Sequence, residues 1–165
     1  MSTLQKFKRQ LVNEAATTRK MLSRIPEDKY NWKPHPKSMS LVQLATHVAE
    51  LPMWIDMTLT TSELDFAQNP YTPEPIASNK ELLTYFEKNQ AMGESILDRS
   101  NEDELVKPWT LRNGDHIIST EPKEDIIVMS ISQTIHHRAQ LGVYLRLLDV
   151  PIPGSYGPSA DESYS

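Results

Sequence analysis

The side chains that could do chemistry in this sequence are histidines, carboxylates and amides. The chain has 165 residues, among them five histidines and no cysteine. Without cysteine there can be no disulfide, thiolate metal site, iron–sulfur cluster or cysteine nucleophile. Any metal would therefore be held by nitrogen and oxygen ligands, and any thiol in the chemistry would have to arrive as a ligand.

Polar residues interrupt the apolar stripe of the last long helical segment. Traced at spacings of three and four, this stripe consists of Ile126, Ser130, Gln133, His137, Leu141 (or Gln140), Tyr144 and Leu148. A buried polar group without a partner costs about 1–3 kcal/mol, so the three polar residues in its middle need partners. Gln133 and His137 are four residues apart and project from one face on successive turns. His136 is rotated by about 100° from His137 and points elsewhere.

A third candidate, His47, lies beside the apolar stripe of the second helical segment. It stands one turn before Pro52, which we expect to kink that helix. If the second and fourth helices are neighbours, His47, Gln133 and His137 converge on one point. Metal sites in helical bundles often combine one ligand from one helix with two ligands that lie four residues apart on another, and these three residues have that spacing.

The same spacing also allows a simpler interpretation. His47 and His137 would then be hydrogen-bonded core residues that bond to each other, or to Ser130 and Tyr144, without any metal. In either case Trp54 is placed to line a pocket near the expected kink.

Four long helical segments must position these residues. Apolar spacing and helix-end signals predict helices over residues 3–25, 40–60, 78–99 and 122–149, joined by long loops. Asn113-Gly114 between two short alternating runs predicts a small β-hairpin near residues 106–120. A polar tail over residues 151–165 is expected on the surface. Together these elements predict an all-α four-helix bundle with long crossover loops, in a single domain over residues 1–165.

Charge and hydropathy exclude several classes of function. The net charge is −5, and no run of Lys or Arg supports binding to nucleic acid or to an anionic membrane. No stretch approaches the roughly 18 uninterrupted apolar residues of a membrane span. The first residues also lack the apolar block of a signal peptide. We therefore expect a soluble, cytoplasmic protein.

Several motifs resemble the DinB-like family, the DinB/YfiT superfamily, over most of the chain. They are HHRAQL at residues 136–141, PIPGSYGPSADE at 151–162, KPHPKSMS at 33–40, LATHVA at 44–49 and the hairpin segment KPW to GD at 107–115. The resemblance implies a four-helix bundle of up-down-down-up topology, often dimeric. It also implies a divalent metal, commonly nickel or zinc, held by three histidines.

The ligand pattern of that family matches this sequence at two of three positions. The ligand from helix two corresponds to His47, and the His-x-x-x-His pair of helix four corresponds to Gln133 and His137. An amide oxygen is a poorer zinc ligand than imidazole, so Gln133 should weaken binding. A water or a tail carboxylate would complete the ligand set, or the site has become a hydrogen-bonded cluster.

The resemblance implies an enzyme that uses the metal on a small molecule, as a thiol-dependent transferase or as a hydrolase. A low-molecular-weight thiol would be the co-substrate, and a homodimer is expected. His136 or Arg138 would support the ligands, and Gln140, Trp54 and Tyr144 would lie around the pocket. The sequence assigns no catalytic residue beyond the ligands. The alternative is a non-catalytic, stress-associated bundle or dimerisation module with a degenerate metal site.

Overall fold

A computed structural model describes residues 1–163. Its helices are α1 (Thr3–Leu22), α2 (Leu41–Glu50), α3 (Met53–Thr60), α4 (Asn79–Arg99) and α5 (Lys123–Leu147), and its strands are β1 (Glu63–Asp65), β2 (Pro108–Asn113) and β3 (His116–Pro122). Helix α1 ends at Leu22 rather than at residue 25, because the residue before Pro26 is disfavoured in a helix. Within residues 1–163, no helix is both long and apolar enough to cross a bilayer.

Pro52 divides the second predicted helix into α2 and α3. Proline has no N–H to donate to the carbonyl of Val48, and its ring clashes with that carbonyl. The hydroxyl of Ser130 in α5 donates to the carbonyl oxygen of Leu51 at 2.8 Å, so the break is tied to α5. Both α2 and α3 pack against α4 and α5, and the two short helices therefore occupy the place of one long helix.

The helices pack with the topology that the family resemblance implies. Helix α1 packs against α4 and α5, and so does the α2–α3 pair. The contacts that define direction are Lys8–Asp98 and Arg19–Glu87 for α1 with α4, Glu14–Arg138 and Met21–Gly142 for α1 with α5, and Ala49–Asn89 in α2 and Pro52–Gly93 at the α2–α3 break for the α2–α3 pair with α4. Helix α1 is thus antiparallel to α4 and parallel to α5, while α2 is parallel to α4. This is the up-down-down-up bundle.

A layer of polar side chains separates two apolar clusters inside the bundle. One cluster is centred on residues such as Leu22, Leu44, Phe86 and Leu141, and the other on residues such as Leu11, Ile55, Leu97 and Ile127. Buried polar residues lie between them along the helices: Glu14 and Thr18 in α1, Asn89 and Gln90 in α4, and Thr134 and Arg138 in α5. Of the polar stripe predicted on α5, Ser130 is buried, whereas Gln133 and His137 are half-buried and lie outside this layer.

The predicted hairpin is present, but its turn is displaced by one residue. Asn113 pairs with His116, so the turn consists of Gly114 and Asp115. Gly114 has φ +58°, and glycine at the first central position is typical of a type II′ turn. Strand β1 pairs in parallel with β2 and was not predicted. The bundle therefore carries a three-stranded sheet at one end.

Candidate metal site at His47 and His137

His47 and His137 meet where the antiparallel helices α2 and α5 pack. Their ring centres are 4.6 Å apart and their planes are inclined by 73°. A metal–imidazole bond is about 2 Å long, so two rings on one ion have centres roughly 4.5–5.5 Å apart. The observed separation fits two imidazole ligands of a shared ion.

Glu50 and Tyr71 hold the His47 ring in place. His47 Nδ1 donates to Glu50 Oε1 at 2.7 Å, and the Glu50 side chain is only 5% exposed. The Tyr71 hydroxyl donates to both oxygens of the same carboxylate, at 3.0 and 3.1 Å. Burial, followed by the charge of Glu50, raises the pKa of Tyr71 above its ordinary value. Because a carboxylate can only accept, Nδ1 is the donor of this bond, and in a neutral imidazole Nε2 is then the lone-pair donor that a metal requires.

Gln140 has the corresponding role for His137. His137 Nδ1 donates to Gln140 Oε1 at 2.9 Å, and Gln140 Nε2 donates to the Nε2 of His136 at 3.0 Å. His137 Nε2 is thereby free as well. Burial lowers the pKa of His137, and the nearby His47 and His136 lower it further. The neutral imidazole favoured by this shift is the form that binds metal.

Gln133 is half-buried one turn before His137 on α5. Its amide makes no hydrogen bond to another side chain or to the backbone of residues 1–163, whereas its neighbour in the stripe, Ser130, is used at the α2–α3 break. In the same described range, no three side chains of the His, Cys, Asp or Glu type meet to hold an ion. The structure therefore brings together two imidazoles, while the part of Gln133 as a ligand stays a prediction. Two imidazoles fit a weakly held ion with open positions.

Two of the alternatives for this site do not agree with the geometry. The hydroxyl of Tyr144 donates to the carbonyl of Met39 at 3.2 Å, so neither it nor the Ser130 hydroxyl serves the histidines. The tail carboxylates Asp161 and Glu162 pair with arginines. A tail carboxylate that completes the ligand set is thus not observed, because both are engaged elsewhere.

A groove of about 390 Å³ opens beside the His137 ring. It is lined by Ser38, Met39, Leu44, His137, Gln140, Val143 and Tyr144. Gln140 and Tyr144 are thus groove residues, and their part in a metal site stays a prediction. Trp54 is not among the residues that line this groove, and its ring packs edge-to-face on Trp109 with centres 6.3 Å apart. That Trp54 lines a pocket near Pro52 stays a prediction.

Arg138 faces α1 rather than the histidines, which corrects its assignment as a supporting group. Its guanidinium donates to a Glu14 carboxylate oxygen at 2.6 Å, and to the Glu14 carbonyl and the Thr18 hydroxyl at 3.0 Å each. Consecutive helical residues differ in direction by about 100°. Because α5 packs between α2 and α1, His137 faces α2 while Arg138 faces α1.

Glu50 and Tyr71 are the site residues that the sequence reasoning missed. Glu50 was detectable, because a carboxylate three residues after His47 lies on the same helix face. Tyr71 lies in a loop between β1 and α4 without periodic pattern, so nothing in the sequence placed it near α2.

The fold and the paired histidines define a class of protein. It is an up-down-down-up four-helix bundle with a candidate metal site between α2 and α5. The sequence model of the DinB family matches residues 1–164, and the chain belongs to that family.

The relatives agree with this assignment. The chain is 22% identical to Uncharacterized protein YrdA from Bacillus subtilis, over 97% of this chain and 92% of that protein. Its fold is similar to the crystal structure of a DinB-like protein from Bacillus subtilis, with TM-score 0.70, 16% identity and coverage of 96% and 99%. A mycothiol-dependent maleylpyruvate isomerase is also similar, with TM-score 0.61 and 14% identity over 86% of this chain and 61% of that one. At these identities the solved structures show the fold alone.

Proposed function

We propose that this protein is a metal-dependent enzyme that acts on a small molecule, as a thiol-dependent transferase or as a hydrolase. The observation that carries the proposal is the pairing of His47 with His137. Their rings are 4.6 Å apart, and a hydrogen bond at each Nδ1 leaves both Nε2 atoms free. The similarity in fold to a mycothiol-dependent isomerase supports a thiol as co-substrate.

The residues of the chain have distinct roles in this proposal. His47 and His137 hold a nickel or zinc ion, and the Gln133 amide oxygen is a weak third ligand. Glu50 keeps the proton of His47 on Nδ1, and Gln140 does the same for His137. A divalent ion with an open position lowers the pKa of a water or thiol that binds to it. The chain has no cysteine, so that thiol comes from a second substrate.

The test is the metal content of the purified protein after chelation and reloading with nickel or zinc, measured by elemental analysis. We expect stoichiometric metal in the unaltered chain and in His116→Ala, a control on the exposed hairpin. His47→Ala and His137→Ala should each lose the metal. Gln133→His should bind it more tightly, because imidazole is the better ligand.

A second candidate function is a bundle that binds partners without catalysis. It is favoured by the amide at position 133, where the ligand pattern of the family has a histidine. Absence of metal from the unaltered chain under every loading condition would support this candidate and contradict the enzyme.

A further inference from the structure

The groove beside His137 has a composition that restricts what it can bind. Within residues 1–163, none of its seven lining residues is Asp, Glu, Lys or Arg, although 24% of the chain is charged. Most of its surface is apolar, and the polar side chains among its lining residues are Ser38, Gln140, His137 and the hydroxyl-bearing Tyr144. A charged group placed there would lose water without gaining a partner of opposite charge.

The groove is also formed before any ligand arrives. The Tyr144 ring packs edge-to-face against Trp32 with centres 5.6 Å apart, and its hydroxyl bonds the Met39 carbonyl. The carbonyl of Trp32 in turn accepts from the N–H of Leu41 at 2.9 Å, so the loop before α2 is fixed to the first turn of that helix. Its volume of about 390 Å³ falls within the range of roughly 300–1,000 Å³ typical of small-molecule sites.

We propose that this groove binds an uncharged apolar or aromatic group of a small molecule and presents the adjoining part of that molecule to the His137 side of the site. That the bound molecule is the substrate rests on the proposed function, whereas binding in the groove does not. An anionic thiol co-substrate would have to bind outside it.

A second, larger groove serves as the internal comparison. It has a volume of about 610 Å³, lies between α5 and the C-terminal tail, and includes Leu147 and Ala139. It is apolar as well, but neither His47 nor His137 lines it. Binding there would be unrelated to the candidate site.

The test is an NMR titration of the ¹⁵N-labelled protein with phenylacetamide, phenylacetate and phenethylammonium, which share one skeleton and differ in charge. A chelator is present throughout, so the result does not depend on metal. We expect phenylacetamide to bind at least tenfold more tightly than either ion, and to shift the amide signals of Met39, Gln140 and Tyr144. Equal binding of the charged compounds, or no saturable binding of the amide, would overturn the proposal.

Two matched substitutions locate the ligand. Met39→Asp places a charge in the groove and should weaken phenylacetamide binding at least fivefold. Leu147→Asp, at a similarly exposed residue, lies outside the groove and should leave it unchanged. The reverse result would assign the ligand to the second groove and contradict the proposal. If the protein binds phenylacetamide but never retains metal, the groove proposal holds and the proposed metal-dependent function is contradicted. If it retains metal but does not bind phenylacetamide, the proposed function holds and the groove proposal is contradicted.

Discussion

At the scale of single residues, the polar layer contains a buried ion pair between Arg138 and Glu14. The two side chains are 3% and 9% exposed, and Tyr156 donates a further bond to Glu14 at 2.6 Å. Removing one partner of a buried pair leaves an uncompensated charge in a medium of low dielectric constant. We expect Arg138→Met to lower the free energy of unfolding by about 3–5 kcal/mol, measured by urea denaturation.

A surface pair provides the control for this prediction. Arg19 pairs with Glu87, and each of these side chains is nearly half exposed. Solvent screening limits such a pair to about 1 kcal/mol or less, so Arg19→Met should have a small effect. Equal losses in the two variants would show that Arg138 contributes through ordinary packing rather than through its charge.

Residue types and spacing predicted only part of the site. The meeting of His47 and His137 could be predicted because their helices are periodic and the interruption of an apolar stripe is visible in the sequence, while the part of Gln133 stays a prediction. The direction of Arg138 could not be predicted, since it depends on which neighbouring helix lies on each side of α5. Tyr71 depends on the path of an irregular loop, which no local pattern determines.

At the scale of elements, α4 crosses the break between α2 and α3 at a glycine. A Cβ atom on Gly93 would lie 2.9 Å from the Pro52 carbonyl oxygen and 3.1 Å from Leu11 Cδ2. A backbone carbonyl cannot rotate away, so the overpacking cost of about 1–3 kcal/mol should exceed the gain in helix propensity of about 1 kcal/mol. We expect Gly93→Ala to be less stable than the unaltered protein in urea denaturation.

Gly142 is the matched position on α5. There a Cβ would lie 3.4 Å from the terminal methyl of Met21, which is flexible and can yield. Gly142→Ala should therefore be neutral or stabilising by up to about 1 kcal/mol. A stabilising effect at Gly93, or a large loss at Gly142, would contradict the packing that brings these helices together.

The helices could be predicted well, and the sheet only in part. Proline at position 52 and the apolar repeats determine local structure directly, so α1, α4 and α5 begin and end within a few residues of their predicted bounds. Strand β1 has three residues, too few for an alternating pattern, and exists because it pairs with β2. Non-local pairing of this kind leaves no local signal.

At the scale of the whole molecule, the C-terminal tail joins the two ends of the chain. Ser155 and Tyr156 bond the buried pair of Arg138 and Glu14, which ties the tail to both α1 and α5. Two partly exposed ion pairs, Arg24–Glu162 and Arg146–Asp161, hold the rest of the tail against α1 and α5. The homodimer and the thiol co-substrate implied by the family resemblance stay predictions.

Attachment of this tail should depend on pH through Asp161. The hydrogen bond from Arg146, followed by the bond from the Ile152 N–H, lowers the pKa of Asp161 below its ordinary value of 3.8. Because the folded state favours the ionised form, Asp161 stabilises the attached tail above pH 3.8, and this contribution is lost as the pH falls through the lower folded pKa. In an NMR titration the Ile152 amide, 2.9 Å from Asp161 Oδ2, should report a midpoint below 3.8. Arg146→Gln should raise that midpoint, whereas a midpoint at or above 3.8 in the unaltered chain would mean that the tail is not held by this pair in solution.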